Sequence, residues 1–504
     1  MEKYGFICLL WGMALLFVWR YLGTNYRMIR TISIFKRNQV VNNAEYIDNI
    51  LHVCVPCLRE QSVIKETLNE LLKATKGYSE NIKIYVVTTQ KENFEKNKYR
   101  NNLTDFIKEF VSGENIIRLY RKYSYLFSLE EITEISADIS KYINMTEQQI
   151  TEYIMLFYEK KLTTYEVVDA FLKENTDINI KLLDYPKNVC SMASQLNFCY
   201  RWIMDNENID EKHFFMVYNA DCKPNINTFK VLFNKMAENR DVNVFQLIRA
   251  YTLNYDNYRG ITGFFLKASA LYQTRWSLGV EYPMYEKYYK KYSASNKRSY
   301  YMIGHGMTFS IKLLEKINGF HEATHLEDMY IGYVLSYLRE RVIPIPTLEN
   351  TLNPAYIYSW AKQKMVWFSG MYDVYNYSKY IKNSLLEPIN KRWSNRLQIQ
   401  FFLRDTLPWL LGPSSILLLS IMSLLICKKL FIVVICTMSL NAFFCSLYLP
   451  YKLKRLEVLV SKEKHSGIVF GGVIFYSLFR NIPAIYYVFC RIFKKTMEKY
   501  KTER

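Results

Sequence analysis

Two acidic sites in the sequence stand where a carboxylate could take part in chemistry. Asn219-Ala220-Asp221 follows the apolar run Phe214–Tyr218, and Glu327-Asp328 precedes a second apolar run, Met329–Leu338. A carboxylate in such a place can bind a hard divalent cation or accept a proton from a reacting hydroxyl. Each site also has a plain explanation, because an Asp after a strand often caps a turn, and a helix dipole favours acidic residues in its first turn.

Two further strings surround these acidic residues. The glycine-containing string Gly304-His305-Gly306-Met307-Thr308-Phe309, followed by Gly319-Phe320, precedes Glu327. The string Gln363-Lys364-Met365-Val366-Trp367-Phe368-Ser369-Gly370 has the spacing of an amphipathic helix and comes before the last apolar stretches. Taken alone, a Trp and a Gln on such a helix indicate packing more often than function.

The pattern of apolar residues predicts the elements that would position these side chains. Runs that are apolar on both faces indicate a parallel sheet covered by helices, and such a sheet presents its ligand site at the carboxyl ends of the strands. The predicted strands are Ile50–Val55, Ile82–Thr88, Ile178–Leu183 and Phe214–Tyr218, and the predicted helices are Ser62–Thr75 and Met192–Met204. Residues from about 100 to 175 are rich in Glu, Lys and Tyr with helical spacing, and predict a solvated helical insertion whose role the sequence does not reveal.

Composition favours a soluble domain joined to membrane segments. Half of the 504 residues are hydrophobic, yet 22% are charged and the net charge is +19. No helix-turn-helix, zinc-finger or RNA-binding signature accompanies this charge, so we expect membrane surfaces and nucleotide phosphates as its partners, and no nucleic acid. Of the ten cysteines, Cys54 and Cys57 form the one close pair, without a second pair to complete a zinc site. We therefore expect a reduced chain that faces the cytoplasm.

Apolar runs at both ends predict a multi-pass protein of the cell membrane. Tyr4–Trp19 is followed by basic residues that should stay in the cytoplasm, which puts the next domain inside. Leu407–Cys427 and Leu430–Leu449 predict a helical hairpin. Gly467–Cys490 precedes a basic tail, so we expect an interfacial or re-entrant segment there. The predicted domains are an anchor at 1–45, a cytoplasmic catalytic domain at 46–395 and a membrane region with a basic tail at 396–504.

Together these strings resemble the family-2 glycosyltransferases over roughly residues 50 to 375. The motifs that carry the resemblance are Val53-Cys54-Val55-Pro56 with Arg59-Glu60, Met192-Ala193-Ser194-Gln195-Leu196-Asn197, Tyr218-Asn219-Ala220-Asp221-Cys222-Lys223-Pro224, the string from Gly304 to Asp328, and Gln363 with Trp367 at the ends of a Gln-x-x-Arg-Trp-like motif. Each motif is moderately specific alone, and here the five occur in the family's order.

The resemblance implies a GT-A type fold, a mixed but mostly parallel sheet flanked by helices, with transmembrane helices at both termini. It implies an inverting hexosyl transfer from a nucleotide-sugar donor to a polysaccharide or lipid-linked acceptor, with Mg²⁺ or Mn²⁺. The roles it implies are Asp328 as general base beside Glu327; Asp221 for the metal; Pro56, Glu60, Thr88, Glu92, Asn219 and Gln363 for the donor; and Gly304, His305, Gly306 and Trp367 for the acceptor. Membrane lipids are implied partners, and room is left for partner subunits.

The sequence departs from the family pattern on the donor side. Asn219 replaces the first Asp of the metal motif, Met192 replaces a Lys, and Val366 replaces the Arg of the last motif, which leaves Lys364 as the nearest cation. Thr88-Thr89-Gln90-Lys91-Glu92 stands where consecutive Asp residues are usual. Two alternatives therefore stay open: single or few additions against a processive synthase, and an active enzyme against a catalytically silent membrane scaffold. A transporter is disfavoured, because the apolar spans are few.

Overall fold

The computed structural model describes residues 2–38, 48–141, 145–176, 178–290, 299–324, 326–384, 390–459 and 467–493. Its strands are β1 Ile50–Pro56, β2 Ile82–Thr89, β3 Ile180–Tyr185, β4 His213–Val217, β5 Cys222–Lys223, β6 Val244–Ala250, β7 Met307–Ser310 and β8 Ile343–Thr351. The predicted boundary at residue 45 and the basic tail after Phe493 lie outside the described residues.

The helices bound the sheet, the insertion and the apolar ends of the chain. In chain order they are α1 Glu2–Asn38, α2 Ile64–Thr75, α3 Lys91–Tyr99, α4 Leu103–Val111, α5 Ile116–Tyr123, α6 Leu129–Lys141, α7 Glu147–Lys160, α8 Thr164–Glu174, α9 Met192–Asn206, α10 Thr228–Glu238, α11 Gly260–Trp276, α12 Tyr282–Lys290, α13 Ile311–Lys316, α14 Glu327–Leu338, α15 Ile357–Tyr372, α16 Val374–Ser384, α17 Lys391–Phe401, α18 Leu407–Ile426, α19 Lys428–Phe443, α20 Leu449–Arg455, α21 Gly467–Phe479 and α22 Ile482–Ile492.

The strands form one eight-stranded mixed sheet in the order β3-β2-β1-β4-β7-β6-β8-β5. The pairs β1–β2, β1–β4, β2–β3 and β6–β8 are parallel. The pairs β4–β7, β6–β7 and β5–β8 are antiparallel. The carboxyl ends of β1, β2, β4 and β6 therefore lie along one edge, where the turn that contains Asp221 follows β4.

Side chains of one strand alternate between two apolar layers, which explains why the central strands are buried on both faces. In β1, Val53 and Val55 pack in the layer that contains α2 and α10. Cys54 points the other way, into the layer that contains Leu196 of α9 and Met28 of α1. The long first helix thus contributes residues to the core of the sheet domain.

The strands and helices predicted in the first half agree with the structure to within two residues at each end. The second half holds β6, β7 and β8, which the sequence did not predict. β7 has four residues next to Gly304 and Gly306, and β8 contains Pro344 and Pro346, which argue against a strand when read alone. The expected amphipathic helix is α15, and it is buried on most of its circumference instead of lying at a surface.

The insertion is helical, as its spacing predicts. Helices α4 to α7 enclose an apolar core of their own, which includes Phe106, Phe127 and Ile154. Helix α8 instead packs Val168 and Phe171 into the main sheet layer. The insertion is therefore joined to the sheet through α8.

Four helical stretches of the described chain are long and apolar enough to cross a membrane. They are Tyr4–Asn38, Lys391–Ile426, Lys428–Arg455 and Ile468–Ile492. The N-terminal half of α1 packs on α18 and α19, while further along Arg30 forms an ion pair with Glu286 of α12 at 2.7 Å. The last stretch is broken between α21 and α22, and whether it spans or lies at the interface stays a prediction. All ten cysteines lie in the described residues, and none of them forms a disulfide.

Candidate active site

The turn after β4 places Asp221 at the carboxyl edge of the sheet. Its side chain is 2% exposed, and Oδ2 accepts a hydrogen bond from Thr351 Oγ1 at 3.2 Å. The Leu352 amide donates to the Asp221 carbonyl, so the end of β8 fixes this turn. The nearby Asn219 Oδ1 is buried and has no hydrogen-bond partner among the described residues. A buried amide oxygen without a partner is costly, which indicates that a ligand can satisfy it.

Asp221 and Asn219 carry side-chain oxygens of the kind that a divalent cation prefers. No group of three His, Cys, Asp or Glu side chains that could hold a metal occurs in the described part of the chain. Mg²⁺ in phosphate-transfer sites commonly uses one or two carboxylates, with water and substrate phosphates as its other ligands. Asp221, with the Asn219 amide oxygen, meets that smaller requirement. A metal held here would depend on a bound phosphate.

Gly306 and His305 hold this turn from the adjacent strand. The Gly306 amide donates to the Val217 carbonyl at 2.7 Å. Its φ is +68°, and a Cβ atom at this position would collide with the Leu247 side chain, so there is room for glycine alone. His305 Nδ1 accepts the Asn219 amide at 3.2 Å. Gly306 and His305, expected on the acceptor side, therefore lie against the Asn219 turn.

Burial keeps His305 neutral, which its hydrogen bond requires. The side chain is fully buried with its ring centroid 4.5 Å from that of Tyr218. Desolvation, and then the charge of Arg249, hold the pKa of His305 well below its usual range. A neutral imidazole whose Nδ1 accepts the Asn219 amide must carry its proton on Nε2. His305 is thus a positioning residue for the Asp221 turn.

Asp328 lies in the first turn of α14, half-buried, with its two carboxylate oxygens in different surroundings. Oδ1 accepts the Met329 amide at 2.7 Å. Oδ2 lies so close to Gly304 that a Cβ atom there would stand 2.8 Å from it. Burial, followed by the charge of Glu327, raises the pKa of Asp328 to about 7, against the opposing effects of the backbone amides and Arg249. A carboxylate with this pKa is suited to accept a proton near neutral pH.

Asp328 lines a cavity of about 120 Å³ whose walls are aromatic and charged. Trp367 of α15 and Tyr251 form part of its wall and pack edge to face, with ring centroids 6.2 Å apart. Lys364 Nζ lies 3.7 Å from the Trp367 ring centroid. The other polar or aromatic wall residues include Arg20, Arg249, Tyr272, Trp276, Glu281, Tyr301, Trp409 and Arg480. Aromatic faces beside buried charges can stack on the apolar faces of sugars and hold their polar groups.

Three charged residues of this wall, Arg249, Glu281 and Lys364, are not among the site residues that the sequence predicts. Arg249 Nε and Glu281 Oε2 have no hydrogen-bond partner among the described residues. Lys364 is 3% exposed, and burial, then the charges of Arg249 and Arg480, hold its pKa well below its usual range. The available signal was an arginine at the end of the apolar run Val244–Ala250. It becomes informative once the sheet order is known, because β6 runs parallel to β4 with β7 between them and ends at the same edge of the sheet.

Of the four donor-side residues expected near the first two strands, Glu60 and Glu92 are joined through Thr164, while Thr88 and Pro56 have separate surroundings. Glu92 is 7% exposed, and its carboxylate accepts the Thr164 amide at 2.8 Å and Thr164 Oγ1 at 2.9 Å, along with the Arg59 amide. The Glu60 amide donates to the same Thr164 hydroxyl at 2.9 Å. The Thr88 hydroxyl donates to Asp184 at 2.9 Å, and Pro56 ends β1 fully buried. The Glu92 carboxylate thus shapes the loop through protein contacts.

The last motif is split between two sides of α15. Gln363 is 4% exposed and its Oε1 has no partner among the described residues, while Lys364 and Trp367 line the cavity with Asp328. Val366, at the position of the motif's arginine, lines a separate and larger groove. The structure therefore brings Asp328, Trp367 and Lys364 together around one cavity, with Asp221 and Asn219 at the sheet edge, and leaves residue 366 outside.

No protein-family model matches the sequence, and no curated protein matches it. Similar solved structures include a mannosyltransferase, PcManGT from Pyrobaculum calidifontis in complex with GDP-Man and Mn²⁺, at 12% identity and a TM-score of 0.39 over 94% of this chain and 99% of that chain. S. aureus TarS 1–349 matches at 12% identity and a TM-score of 0.33, over 88% of this chain and 91% of that chain. The complex of TarS 1–349 with UDP-GlcNAc matches at 11% identity and a TM-score of 0.34, over 89% of this chain and 93% of that chain. TM-scores and identities this low carry no argument about activity.

Proposed function

We propose that this protein is a nucleotide-sugar-dependent glycosyltransferase of the hexosyltransferase type, with Asp328 as its general base. One observation carries the proposal: the Asp328 carboxyl group, with a pKa raised to about 7, lines a cavity of aromatic rings and incompletely paired charges. A base that must be free at neutral pH yet able to hold a proton needs such a pKa. The wall residues Trp367 and Tyr251 suit a sugar acceptor.

The chemistry is a single displacement at the anomeric carbon. Asp328 takes the proton of the acceptor hydroxyl as its oxygen attacks that carbon, and the bond from the sugar to the nucleoside diphosphate breaks on the opposite face. The proton stays on Asp328, and both electrons of the broken bond leave with the diphosphate. Attack opposite to the leaving group inverts the configuration of the sugar carbon.

The departing diphosphate needs positive charge, and the chain offers two sources. Asp221 with Asn219 would hold Mg²⁺ or Mn²⁺, which supplies charge neutralisation when bound. Arg249, from the end of β6, supplies a fixed cation at the cavity wall, where low polarity strengthens its attraction for phosphate. The Arg249 guanidinium, able to form two hydrogen bonds at once, stands in for the arginine absent at position 366.

The acceptor would be met at a membrane. Four apolar stretches could anchor the chain, and the basic residues that follow the first of them favour a catalytic domain at the inner face of the cell membrane. The acceptor would be a polysaccharide or a lipid-linked glycan, with membrane lipids around the anchor. Four stretches are few for a self-contained polymer channel, so single or few additions are favoured over processive synthesis.

A panel of nucleotide sugars tests the proposal. The purified full-length protein should be stabilised against heat by its donor, and more so with Mn²⁺, because a ligand that binds the folded state alone raises Tm. Labelled donor should then give a glycosylated product, whose length separates single from processive addition. Asp328→Asn should keep the donor-induced Tm shift and lose transfer.

A catalytically silent scaffold is the second candidate. It is favoured by the Glu92 carboxylate, which protein groups already occupy, and by Asn219 and Val366 at positions where the resembling motifs carry charge. The same panel decides between the two. If UDP-, GDP-, ADP-, CMP- and dTDP-sugars neither raise Tm nor undergo metal-dependent hydrolysis or transfer, the enzyme proposal fails and a binding role remains.

A further inference from the structure

A second cavity, much larger than the first, lies on the other side of α15 from Asp328. It measures about 1670 Å³ and is enclosed by α11, α15, α21 and α22. Sites for small molecules usually measure about 300–1,000 Å³. The cavity is therefore larger than a sugar or a nucleotide alone requires, and we call this space between the four helices the groove.

The walls of this groove are apolar, and the charges on them have one sign. Ile261, Ile468 and Phe475 are among its lining residues, and they are 89%, 57% and 54% exposed. Apolar surface of this extent is unfavourable in water and marks a contact with another apolar surface. Lys362 and Arg491 are its charged lining residues in the described chain, and both are cations. The groove thus fits a molecule with a long apolar chain and an anionic group.

The groove shares two of its walls with the cavity that contains Asp328. On α15, Lys364 and Trp367 face the cavity, while Met365 and Val366 face the groove. On α21, Tyr476 lines the cavity, and its neighbour Phe475 lines the groove. The two spaces are consequently separated by the thickness of one helix, about 10–12 Å with side chains. A molecule seated in the groove therefore contacts the same two helices, α15 and α21, that line the cavity with Asp328.

The groove also belongs to the part of the chain that would meet lipid. Helices α21 and α22 form the apolar stretch Ile468–Ile492, which is long enough to cross a membrane. Gly471 lies on the groove wall, and a Cβ atom added there would meet nothing within 4 Å. The open volume beside Gly471 is therefore unfilled by protein and accessible from the apolar surface.

We propose that the groove binds the hydrocarbon chain of a lipid phosphate or diphosphate, the acceptor lipid, with Lys362 and Arg491 as partners of its anionic group. The role of this lipid as acceptor rests on the proposed glycosyltransferase function, whereas the binding of a lipid phosphate in the groove does not depend on that function. It narrows the acceptor from any glycan to one carried on a lipid. It also explains why residue 366 carries a valine, since that position contacts the chain of the lipid.

Binding can be tested without measuring transfer. The full-length protein in detergent is labelled with a diazirine-bearing farnesyl phosphate, and the crosslinked peptides are mapped. Labelling should fall on α15, α21 and α22, and unlabelled farnesyl phosphate should compete at least tenfold better than farnesol or phosphatidylglycerol. Equal competition by farnesol would mean that the charges are irrelevant, and equal competition by phosphatidylglycerol would mean a general lipid contact. Either outcome overturns the proposal.

A matched pair of glycine variants then links the groove to transfer. Gly471→Phe should fill the groove, whereas Gly412→Phe places the same side chain on α18, where a Cβ atom also meets nothing within 4 Å. Only Gly471→Phe should abolish labelling and lower transfer to a lipid acceptor at least tenfold, with the donor-induced Tm shift unchanged. Transfer that survives loss of labelling would show that the bound lipid is not the acceptor.

Charge variants provide a test that does not depend on filling the groove. Lys362→Glu and Arg491→Glu should each weaken the competition by farnesyl phosphate and leave the competition by farnesol unchanged. The control Lys379→Glu, at an exposed position, should change neither competition. If no nucleotide sugar binds the protein but labelling follows this pattern, the glycosyltransferase proposal fails and lipid phosphate binding stands. If donors bind and labelling does not follow it, the lipid proposal alone fails.

Discussion

The α-carbon of Gly304 lies against the carboxylate of Asp328, so that a Cβ atom on Gly304 would stand 2.8 Å from Oδ2 and 3.5 Å from Cγ. Gly304→Ala should therefore push the base away from its position without touching the donor turn. Displacing a reacting group by about 1 Å can cost 10²-fold in rate. We expect kcat to fall by one to two orders of magnitude, with donor affinity unchanged.

The control for this variant is Gly412→Ala, since a Cβ atom on Gly412 meets nothing within 4 Å. It should have wild-type kcat. A Gly304→Ala enzyme with normal kcat would show that Asp328 tolerates the methyl group and that its placement beside Gly304 is incidental.

The pH dependence of kcat/KM should follow the ionisation of Asp328. Because a general base acts in its ionised form and the pKa is about 7, the rate should rise with pH up to about 7 and then level off. After burial, the charge of Glu327 is the next cause of the raised pKa. Glu327→Gln should therefore move the acid limb to lower pH. An acid limb near pH 4 in the wild type would contradict the role of Asp328.

The raised pKa of Asp328 also predicts how the free energy of unfolding depends on pH. Between the ordinary pKa of 3.8 and the folded value of about 7, the folded state binds more protons than the unfolded state, so the free energy of unfolding falls as pH rises. Asp328→Asn removes this loss. The variant should gain Tm over the wild type by more at pH 8 than at pH 5, whereas the exposed Asp205→Asn should show no such difference. An equal effect at both pH values would contradict the raised pKa.

Arg249 should control donor affinity. Its Nε has no partner among the described residues, and we place it at the donor diphosphate. Arg249→Met should weaken donor binding at least tenfold. Arg249→Lys should have a donor affinity between those of the wild type and Arg249→Met, because an ammonium group keeps the charge but not the paired hydrogen bonds. Donor titrations followed by Tm measure this, with the exposed Arg240→Met as the control. Unchanged affinity in Arg249→Met would remove Arg249 from the donor site.

Glu92 should stabilise the loop after β1 instead of contacting the donor. Its carboxylate accepts hydrogen bonds from the Arg59 amide and from the amide and hydroxyl of Thr164. Glu92→Gln should lower the free energy of unfolding by about 1–3 kcal/mol, because a buried donor loses its acceptor. Hydrogen exchange should quicken at the Arg59 and Thr164 amides. The exposed Glu152→Gln should have neither effect, and a loss of donor affinity without a loss of stability would restore Glu92 to the donor site.

Much of the first half of the fold could be predicted because its strands are apolar on both faces, as in Ile50–Pro56, and such runs need no distant partner to be recognised. Strand β8 could not be predicted, since Pro344 and Pro346 near its start weaken a strand prediction that only pairing with β6 supports. In the candidate site, Asp221 and Asp328 follow from local motifs. Arg249 could not be predicted from a local motif, because it reaches the site only through the position of β6 in the sheet.

Val366 faces the apolar groove and not the cavity with Asp328. Restoring arginine at this position would therefore not restore a phosphate contact, since it would place a charge among hydrocarbon side chains. Successive residues of an α-helix are turned by about 100° around its axis, so only a rotation of α15 would bring residue 366 back to the cavity. The side chain that position 366 tolerates is thus set by the orientation of the whole helix, and a single substitution to arginine would destabilise the protein unless α15 also turned.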